Sequence, residues 1–378
     1  MNKMVKAALF FLGALIVTLV VIGAFSSPAQ IPGLEKIMTL STITISKTGS
    51  IESSLKSVPI SANGSTYTLT GNIENFSLNI QCSDIVLNGA GYWIWSTAPN
   101  LDTGINVQAD QVKITSLNIQ GFDSPLNITG SNDAIIQTYL ASQGWEITVQ
   151  GSNDSFVGNQ IVDSSISTTG YDCFVENNFT RGGVDLYVAH NCVSENVFYS
   201  SGVSLWGQTS FNTITGNTFN TLEADNSSFG ISLCGTGMES NTIYLNNFMS
   251  NVVPVVDDSN PPQVYVGDRF DNGSVGNYWS DYATKNTNGR GIATIGIYNA
   301  PYPIYGSIMD NYPLTSPVVE KITMQIPNPT PLSTTRPPTN NVPQIQSSSV
   351  LAVTAILVVA IVLLLFRRHR RTGIQSKT

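Results

Sequence analysis

Charge is scarce in this sequence. Charged residues make up 11% of the chain, against about a quarter in an ordinary soluble domain. Serine, threonine, asparagine and glycine take the place of charge. This composition disfavours a fold of helices held by charge pairs, and it favours strands that are joined by polar turns.

Basic residues are especially few between the two ends of the chain. Residues 26–349 contain all 25 acidic residues but only 10 of the 17 basic ones. This part of the chain therefore carries a formal charge near −15. Because nucleic acid is itself strongly negative, the balance excludes nucleic acid as a partner.

Histidine is nearly absent. The chain has two histidines, and His369 lies in a basic C-terminal segment, which leaves His190 as the one imidazole elsewhere. A histidine-rich copper or zinc site needs several such ligands. We therefore predict no metal site and no cofactor, and we interpret His190 as a surface turn residue.

Two long apolar runs stand near the ends. Residues 7–25 follow two lysines, which predicts a signal peptide or an uncleaved membrane anchor over residues 1–26. Residues 350–366 precede four arginines, which predicts a transmembrane helix over 349–366 and a cytoplasmic basic tail over 367–378. The sequence thus predicts a cell-membrane protein with its main domain outside the cytoplasm.

A phrase of the form N-x-I-x-x-N-x-F recurs through the middle of the chain. Its copies read DSFVGNQI, DCFVENNF, NCVSENVF, NTITGNTF and NTIYLNNF, and a second phrase, G-[VI]-x-L, alternates with it. A period near 20 residues with strand-like alternation predicts a solenoid in which each repeat is one coil. A β-sandwich or a propeller is the alternative, but neither has this period.

The second asparagine of each phrase is predicted to have a structural role. Successive copies are separated by 18, 19, 21 and 29 residues. At a bend, such side chains can hydrogen-bond from coil to coil and tolerate a left-handed backbone. We predict one ladder along a corner, formed by Asn159, Asn177, Asn196, Asn217 and Asn246.

Two further motifs, together with the coil phrases, resemble those of a known family. SDIVLNGAGYWI (83–94) and the coil phrases resemble the right-handed parallel β-helix of the pectin-lyase-like superfamily. GNYWSDY (276–282), followed by APYPIYGSIMDNYPLTSP (300–317), resembles the closing section of NosD-type proteins. The resemblance implies an all-β fold, a right-handed parallel β-helix with a C-terminal cap, and the sequence adds a hydrophobic helix on each side. The predicted segments between those helices are an N-terminal lead-in (27–59), the β-helix repeats (60–263), the cap (264–320) and a Pro/Thr/Ser-rich stalk (321–348).

The resemblance also implies a link to copper-enzyme maturation. The scarcity of histidine does not support metal transfer, so a role as accessory to an extracytoplasmic metalloenzyme is our third choice. NosD-type proteins often carry an acidic cation loop between the two closing motifs, where this chain has KNTNGRGIAT (285–294). Calcium is possible there but has no carboxylate to bind it.

Outward side chains on neighbouring coils form the candidate binding site. In GVDLYV and GVSLWG the apolar residues point inward, so the side chains of Asp185, Tyr187, Ser204 and Trp206 point outward. Two aromatic rings beside a carboxylate suit a sugar ring. The alternative is that a loop such as 221–229 covers both rings. We predict non-catalytic binding of a glycan or another envelope component.

A catalytic function is the second hypothesis. Glu176 and Glu195 share a slot on adjacent coils, and two carboxyl groups about 5 Å apart serve retaining glycosidases. With Asp185 and Arg181 they form the candidate set for a polysaccharide lyase or a glycoside hydrolase. The alternative is that the two glutamates belong to a solvated polar face.

Two kinds of covalent modification are compatible with an extracellular domain. Cys173 and Cys192 share a slot on consecutive coils, so they either form a disulfide or pack as free thiols. The chain also contains N-x-[ST] sequons, whose glycosylation such a surface permits. The candidate asparagines are Asn63, Asn75, Asn127, Asn153, Asn178, Asn226 and Asn272.

Overall fold

The chain winds into a parallel β-solenoid with three sheets, which confirms the predicted all-β class. The structure is a computed structural model, and it describes residues 41–97, 103–142, 144, 146–220, 229–249, 253–258, 267–306 and 308–319. Both predicted hydrophobic helices, the stalk and the basic tail lie outside these residues. Within them, no helix is long and apolar enough to cross a membrane.

Each sheet takes one short parallel strand from each coil, and at the N-terminal end Ile51–Ser53 and Ile60–Asn63 each add an antiparallel strand, to sheets 1 and 2 respectively. The sheets are numbered in the order in which the chain meets them. Sheet 1 has 11 strands: Ser41–Ile45, Ile51–Ser53, Phe76–Ile80, Thr103–Val107, Ser124–Ile128, Ile147–Val149, Ile166–Thr168, Val184–Leu186, Val203–Trp206, Phe229–Cys234 and Val253–Asp257. Sheet 2 has 10: Ile60–Asn63, Thr66–Leu69, Val86–Asn88, Lys113–Thr115, Ala134–Ile136, Ser155–Val157, Cys173–Val175, Cys192–Ser194, Thr213–Thr215 and Thr242–Tyr244. Sheet 3 has 10: Ile73–Glu74, Trp93–Trp95, Asn118–Phe122, Tyr139–Ser142, Gln160–Val162, Asn178–Thr180, Val197–Tyr199, Thr218–Asn220, Asn247–Phe248 and Tyr278–Trp279.

The strand centres form the core. In most strands of sheets 2 and 3 the middle residue is buried and its two neighbours are half-buried, so the inward side chains stack from coil to coil. Phe179, Phe198, Phe219 and Phe248 stack with ring centroids 4.8 to 5.1 Å apart. Parallel pairing in register places identical slots one above the other, which makes this stack possible.

The closing motif seals the C-terminal end of this core. The ring of Trp279 continues the phenylalanine stack, 4.3 Å from Phe248 and 4.1 Å from Tyr302. Buried Asp310 accepts the Trp279 indole N–H at 2.8 Å and the Asn277 backbone N–H at 2.7 Å. The short helix α1 (Tyr282–Lys285) and two antiparallel hairpins, Gly291–Ile292 with Ile297–Tyr298 and Tyr302–Tyr305 with Ile308–Asp310, complete the cap.

One corner of the solenoid carries a ladder of buried asparagines, here called the asparagine column. Its members lie between sheets 2 and 3 and are Asn159, Asn177, Asn196, Asn217, Asn246 and Asn277. Asn196 is typical: its Oδ1 accepts the backbone N–H and the Nδ2 of Asn177 at 2.8 and 2.9 Å. Its own Nδ2 donates to the Phe174 carbonyl at 2.8 Å and to Asn217 Oδ1 at 2.9 Å.

The left-handed backbone at this corner lies one residue before each asparagine from Asn159 to Asn246. Glu176 and Glu195 both have φ of 56°, and Gly158 and Gly216 occupy the same slot with φ of 65° and 69°. The column asparagines themselves have no positive φ. Our expectation of left-handed asparagines is therefore wrong. The preceding residue makes the turn, which leaves the asparagine free to align with its ladder.

Candidate functional site

A cleft of about 400 Å³ opens at the corner between sheets 3 and 1, at the edge of the outer face of sheet 1. It brings together Arg181 and Asp185 of the predicted catalytic set. It does not bring in Glu176 and Glu195, which lie at the corner between sheets 2 and 3. The lining residues are Gly144, Glu146, Asp163, Ser164, Ser165, Arg181 and Asp185.

Asp185 reaches the cleft because of strand alternation. It is the centre of Val184–Leu186, whose two end residues are buried, so its side chain points away from the core. Its neighbours in register are Ser167 on the previous coil and Ser204 on the next. The Ser167 hydroxyl donates to the carboxylate of Glu146, which holds a second acid at the same face.

Arg181 is engaged by a partner on the adjacent coil. Its Nε and Nη2 donate to the two oxygens of Asp163 at 2.6 and 3.0 Å. Both side chains are about half exposed (55% and 47%), and such a pair stabilises a fold by only about 0 to 1 kcal/mol. The pairing matters more for the cleft, because it neutralises the positive charge there.

Tyr187 and Trp206 form an exposed aromatic platform beside the cleft. Their rings lie on adjacent coils, nearly parallel at 11°, with centroids 5.9 Å apart. The two side chains are 44% and 38% exposed. The indole N–H of Trp206 donates to Asp185 Oδ1 at 3.2 Å, so the platform and the acid are linked. The loop considered as a cover lies outside the described residues over 221–228.

The environment of Asp185 favours its neutral form. Burial raises its pKa, and the nearby Glu146 adds to this, while hydrogen bonds from Trp206 and Ser204 act in the opposite direction. Ser204 is itself buried, at 6% exposure. Ser204 is the in-register neighbour of Asp185 on the next coil, and its hydrogen bond supports the Asp185 carboxyl group. A direct contact between Ser204 and a ligand stays a prediction.

Three residues of this site were missed in the sequence. Glu146, Asp163 and Ser167 come from coils whose phrases are the least regular. The pair of Asp163 and Arg181 had a signal, since each residue comes four positions after a column asparagine. Glu146 had only a weak signal, because it precedes its strand and reaches Ser167 through its long side chain, whereas the register pairs Ser167 with Thr148.

Cys173 and Cys192 are direct partners in sheet 2. Both are half-buried free thiols, and a hydrogen bond from Cys173 lowers the pKa of Cys192. A disulfide between them stays a prediction. The sequon residues Asn63, Asn153 and Asn272 are exposed, and Asn75, Asn127 and Asn178 are half-buried. Asn226 lies outside the described residues, and glycosylation also stays a prediction.

The geometry defines a class, the parallel β-helix proteins with an exposed ligand-sized cleft on one sheet. Within that class, the profile of the family described as "Periplasmic copper-binding protein (NosD)" matches residues 57–284, more than half of the chain. The chain therefore belongs to the NosD family, and the periplasmic location of that family supports an extracytoplasmic β-helix domain. No curated protein matches the chain.

The residues present do not fit the copper of the family description. Among the described residues, no three His, Cys, Asp or Glu side chains converge in a way that could hold a metal ion. Cys173 and Cys192 form a pair without a third ligand. His190 stacks on the ring of Phe211 at 5.3 Å and meets the edge of Tyr171 at 6.0 Å. Its ring therefore belongs to an aromatic cluster.

Proposed function

We propose that this protein is a membrane-tethered, extracytoplasmic β-helix that binds a glycan on the outer face of sheet 1. The observation that carries the proposal is the exposed Tyr187–Trp206 platform, linked to Asp185 at the edge of the cleft. Aromatic faces suit the apolar face of a pyranose ring, and carboxylates accept hydrogen bonds from its hydroxyls.

The dimensions and charge of the cleft support a ligand of this kind. Its volume of about 400 Å³ falls at the small end of ligand sites, which run from roughly 300 to 1,000 Å³. Three carboxyl groups (Glu146, Asp163 and Asp185) face one guanidinium. This balance favours neutral or amine-bearing sugars over uronates, because a bound uronate would add a further negative charge.

The experiment is retention of the full-length protein on a panel of immobilised neutral, amine-bearing and uronate polysaccharides. Trp206→Ala with Tyr187→Ala should weaken binding by roughly tenfold or more, because each stacked ring contributes about 0.5 to 1.5 kcal/mol. Tyr171→Ala with Phe211→Ala is the matched control, since it removes two exposed rings at another corner. Unchanged retention in the first variant would exclude the platform as a glycan site.

The tether is a separate part of the proposal. It is supported by the apolar run at 350–366 and by the four arginines that follow it. Deleting residues 350–378 should release the protein from membranes into the soluble fraction. Continued membrane association of this shortened chain would assign the anchor elsewhere, the N-terminal apolar run being the next candidate.

Glycoside hydrolysis is a second candidate. Two carboxyl groups, Glu146 and Asp185, share the cleft, and burial favours the neutral form of Asp185 that a general acid needs. A lyase is less favoured, since Arg181 is already paired with Asp163. Release of reducing ends from a bound polysaccharide, lost in Glu146→Gln while binding persists, would establish hydrolysis. Binding without any release would leave the glycan-binding role alone.

A further inference from the structure

A second buried ladder, here called the mixed column, runs along the corner between sheets 1 and 2. Each member uses its Oδ1 to accept a backbone N–H from the preceding coil, at 2.7 to 3.0 Å. Aspartate and asparagine both occur in this role. The members are Asp133, Asp154, Asp172, Asn191, Asn212, Asn241 and Asp268.

The members of the mixed column differ in the contacts of their second polar side-chain atom, which is Nδ2 in asparagine and Oδ2 in aspartate. In the three asparagine slots Nδ2 donates, to the Val188 carbonyl, to Asn241 Oδ1 and to the Thr209 carbonyl, at 2.9 Å in each case. In Asp172, Oδ2 accepts the Thr168 hydroxyl. In Asp133 and Asp154, by contrast, Oδ2 is buried without a hydrogen-bond partner, in side chains that are 2% exposed. Oδ2 of Asp268 also lacks such a partner, but the Asp268 side chain as a whole is only half-buried.

Glycine backbone packs against these two oxygens. A Cβ placed on Gly130 would lie 2.9 Å from Asp133 Oδ2, and one on Gly151 would lie 2.7 Å from Asp154 Oδ2. An ionised carboxylate can only accept hydrogen bonds, so a buried and unpartnered oxygen destabilises it strongly. A neutral carboxyl group has one O–H, which can donate as the amide does in the asparagine slots.

We propose that Asp133 and Asp154 keep their protons in the folded chain and that their ionisation loosens this part of the solenoid. The mixed column then acts as a pH sensor that is built into the fold. Because asparagine fills the same slots in later coils, the sensor is confined to the coils that carry aspartate.

The carboxylates around Asp133 and Asp154 also favour the neutral form of these two acids. Asp133 faces Asp154 and Asp110, and Asp154 faces Asp172 and Asp110. Burial is the largest influence, and together with these neighbouring carboxylates it raises the pKa of each acid to about 7. The backbone N–H groups of Val112 and Asp133 lower the two pKa values but do not offset the burial.

The direction of the pH effect follows from these pKa values. An aspartate in an unfolded chain has a pKa of about 3.9, so between about pH 4 and pH 7 the folded protein binds more protons than the unfolded chain. The contribution of these two groups to the stability of the fold is therefore greatest below about pH 4. It falls as the pH rises through the folded pKa near 7, and then levels off.

The test compares full-length protein with Asp133→Asn/Asp154→Asn from pH 4.5 to 8. Wild-type thermal midpoints should fall by roughly 5 °C or more over this range, and hydrogen exchange should accelerate at the backbone amides of Val112 and Asp133. The double variant should lose most of this dependence and exceed the wild type in stability at pH 8. Asp84→Asn, which removes one exposed carboxylate, is the control and should keep the wild-type profile.

A wild-type slope that persists undiminished in the double variant would overturn the proposal. So would failure of that variant to fold, because the amide should replace the neutral acid. Infrared spectra of the wild type provide an independent measurement, with a protonated-carboxyl band at pH 6 that should be weaker in the double variant. The part that remains comes from other buried acids such as Asp310, whose pKa burial raises to about 6. Asn212→Asp should create new pH dependence. If added sodium or calcium ions alone restored wild-type stability at pH 8, ion bridging would replace the proton.

Discussion

The asparagine column and the mixed column follow two corners of the same coils, yet they differ in what they accept. From Asn159 to Asn277 the asparagine column contains asparagine alone, whereas the mixed column has three aspartates, then three asparagines and a final aspartate. Both columns use Oδ1 in the same way, as the acceptor of a backbone N–H. Their difference therefore lies in the second side-chain atom.

The comparison teaches that a corner specifies hydrogen-bonding roles and not a residue type. In the asparagine column each Nδ2 from Asn159 to Asn246 donates both to a carbonyl of an earlier coil and to the next asparagine, so a carboxylate would break two contacts. In the mixed column the partner of the second atom varies from slot to slot. The mixed column therefore tolerates acids, and with them a dependence on pH.

The largest effect should come from replacing asparagine by aspartate, once in each column, on a single coil. Asn196→Asp should reduce the free energy of unfolding by about 3 kcal/mol or more at pH 7.5, because it buries an acid among acceptors. Asn191→Asp should cost about 1 to 2 kcal/mol, since only its contact with the Val188 carbonyl is lost. Urea unfolding measures both values. Equal losses would contradict the distinction between the columns.

A smaller difference is expected between two glycines of one coil. A Cβ on Gly151, beside the mixed column, would lie 1.6 Å from the Gly130 carbonyl oxygen, so Gly151→Ala should cost about 2 to 3 kcal/mol. At the other corner Gly158 has φ of 65°, and a Cβ there would meet only Gln137 Cγ, in ordinary contact at 3.8 Å. Gly158→Ala should therefore cost only about 1 kcal/mol. Urea midpoints compare the two variants, and the reverse order would show that backbone strain outweighs crowding.

The interior and the asparagine column could be predicted from the sequence, because the residues that form them repeat together in one phrase. Phe179 and Phe198 occupy the same slot, and in-register pairing makes them neighbours. The closing motif was identified by its resemblance to NosD-type proteins, and its Trp279 continues the stack that those rings begin. The platform of Tyr187 and Trp206 followed from strand alternation alone.

Other features were not predicted from the sequence, because different residue types fill the same structural role on successive coils. The mixed column begins each aligned phrase, but the change from Asp172 to Asn191 conceals the shared acceptor role. Glu146 lies beyond the end of its strand, where no repeating phrase fixes its position. The slot shared by Glu176 and Glu195 was identified, but it belongs to a left-handed turn and not to the cleft.

That turn slot provides the smallest and most discriminating change. Glu176 adopts a left-handed backbone that glycine adopts without strain at Gly158 and Gly216. Glu176→Gly should therefore raise the free energy of unfolding by up to about 1 kcal/mol, measured by urea unfolding. Glu176→Gln keeps the backbone strain and removes the charge, so it should change little. A gain in the glutamine variant would instead identify repulsion between carboxylates, and loss of glycan retention in either variant would place Glu176 in the binding site after all.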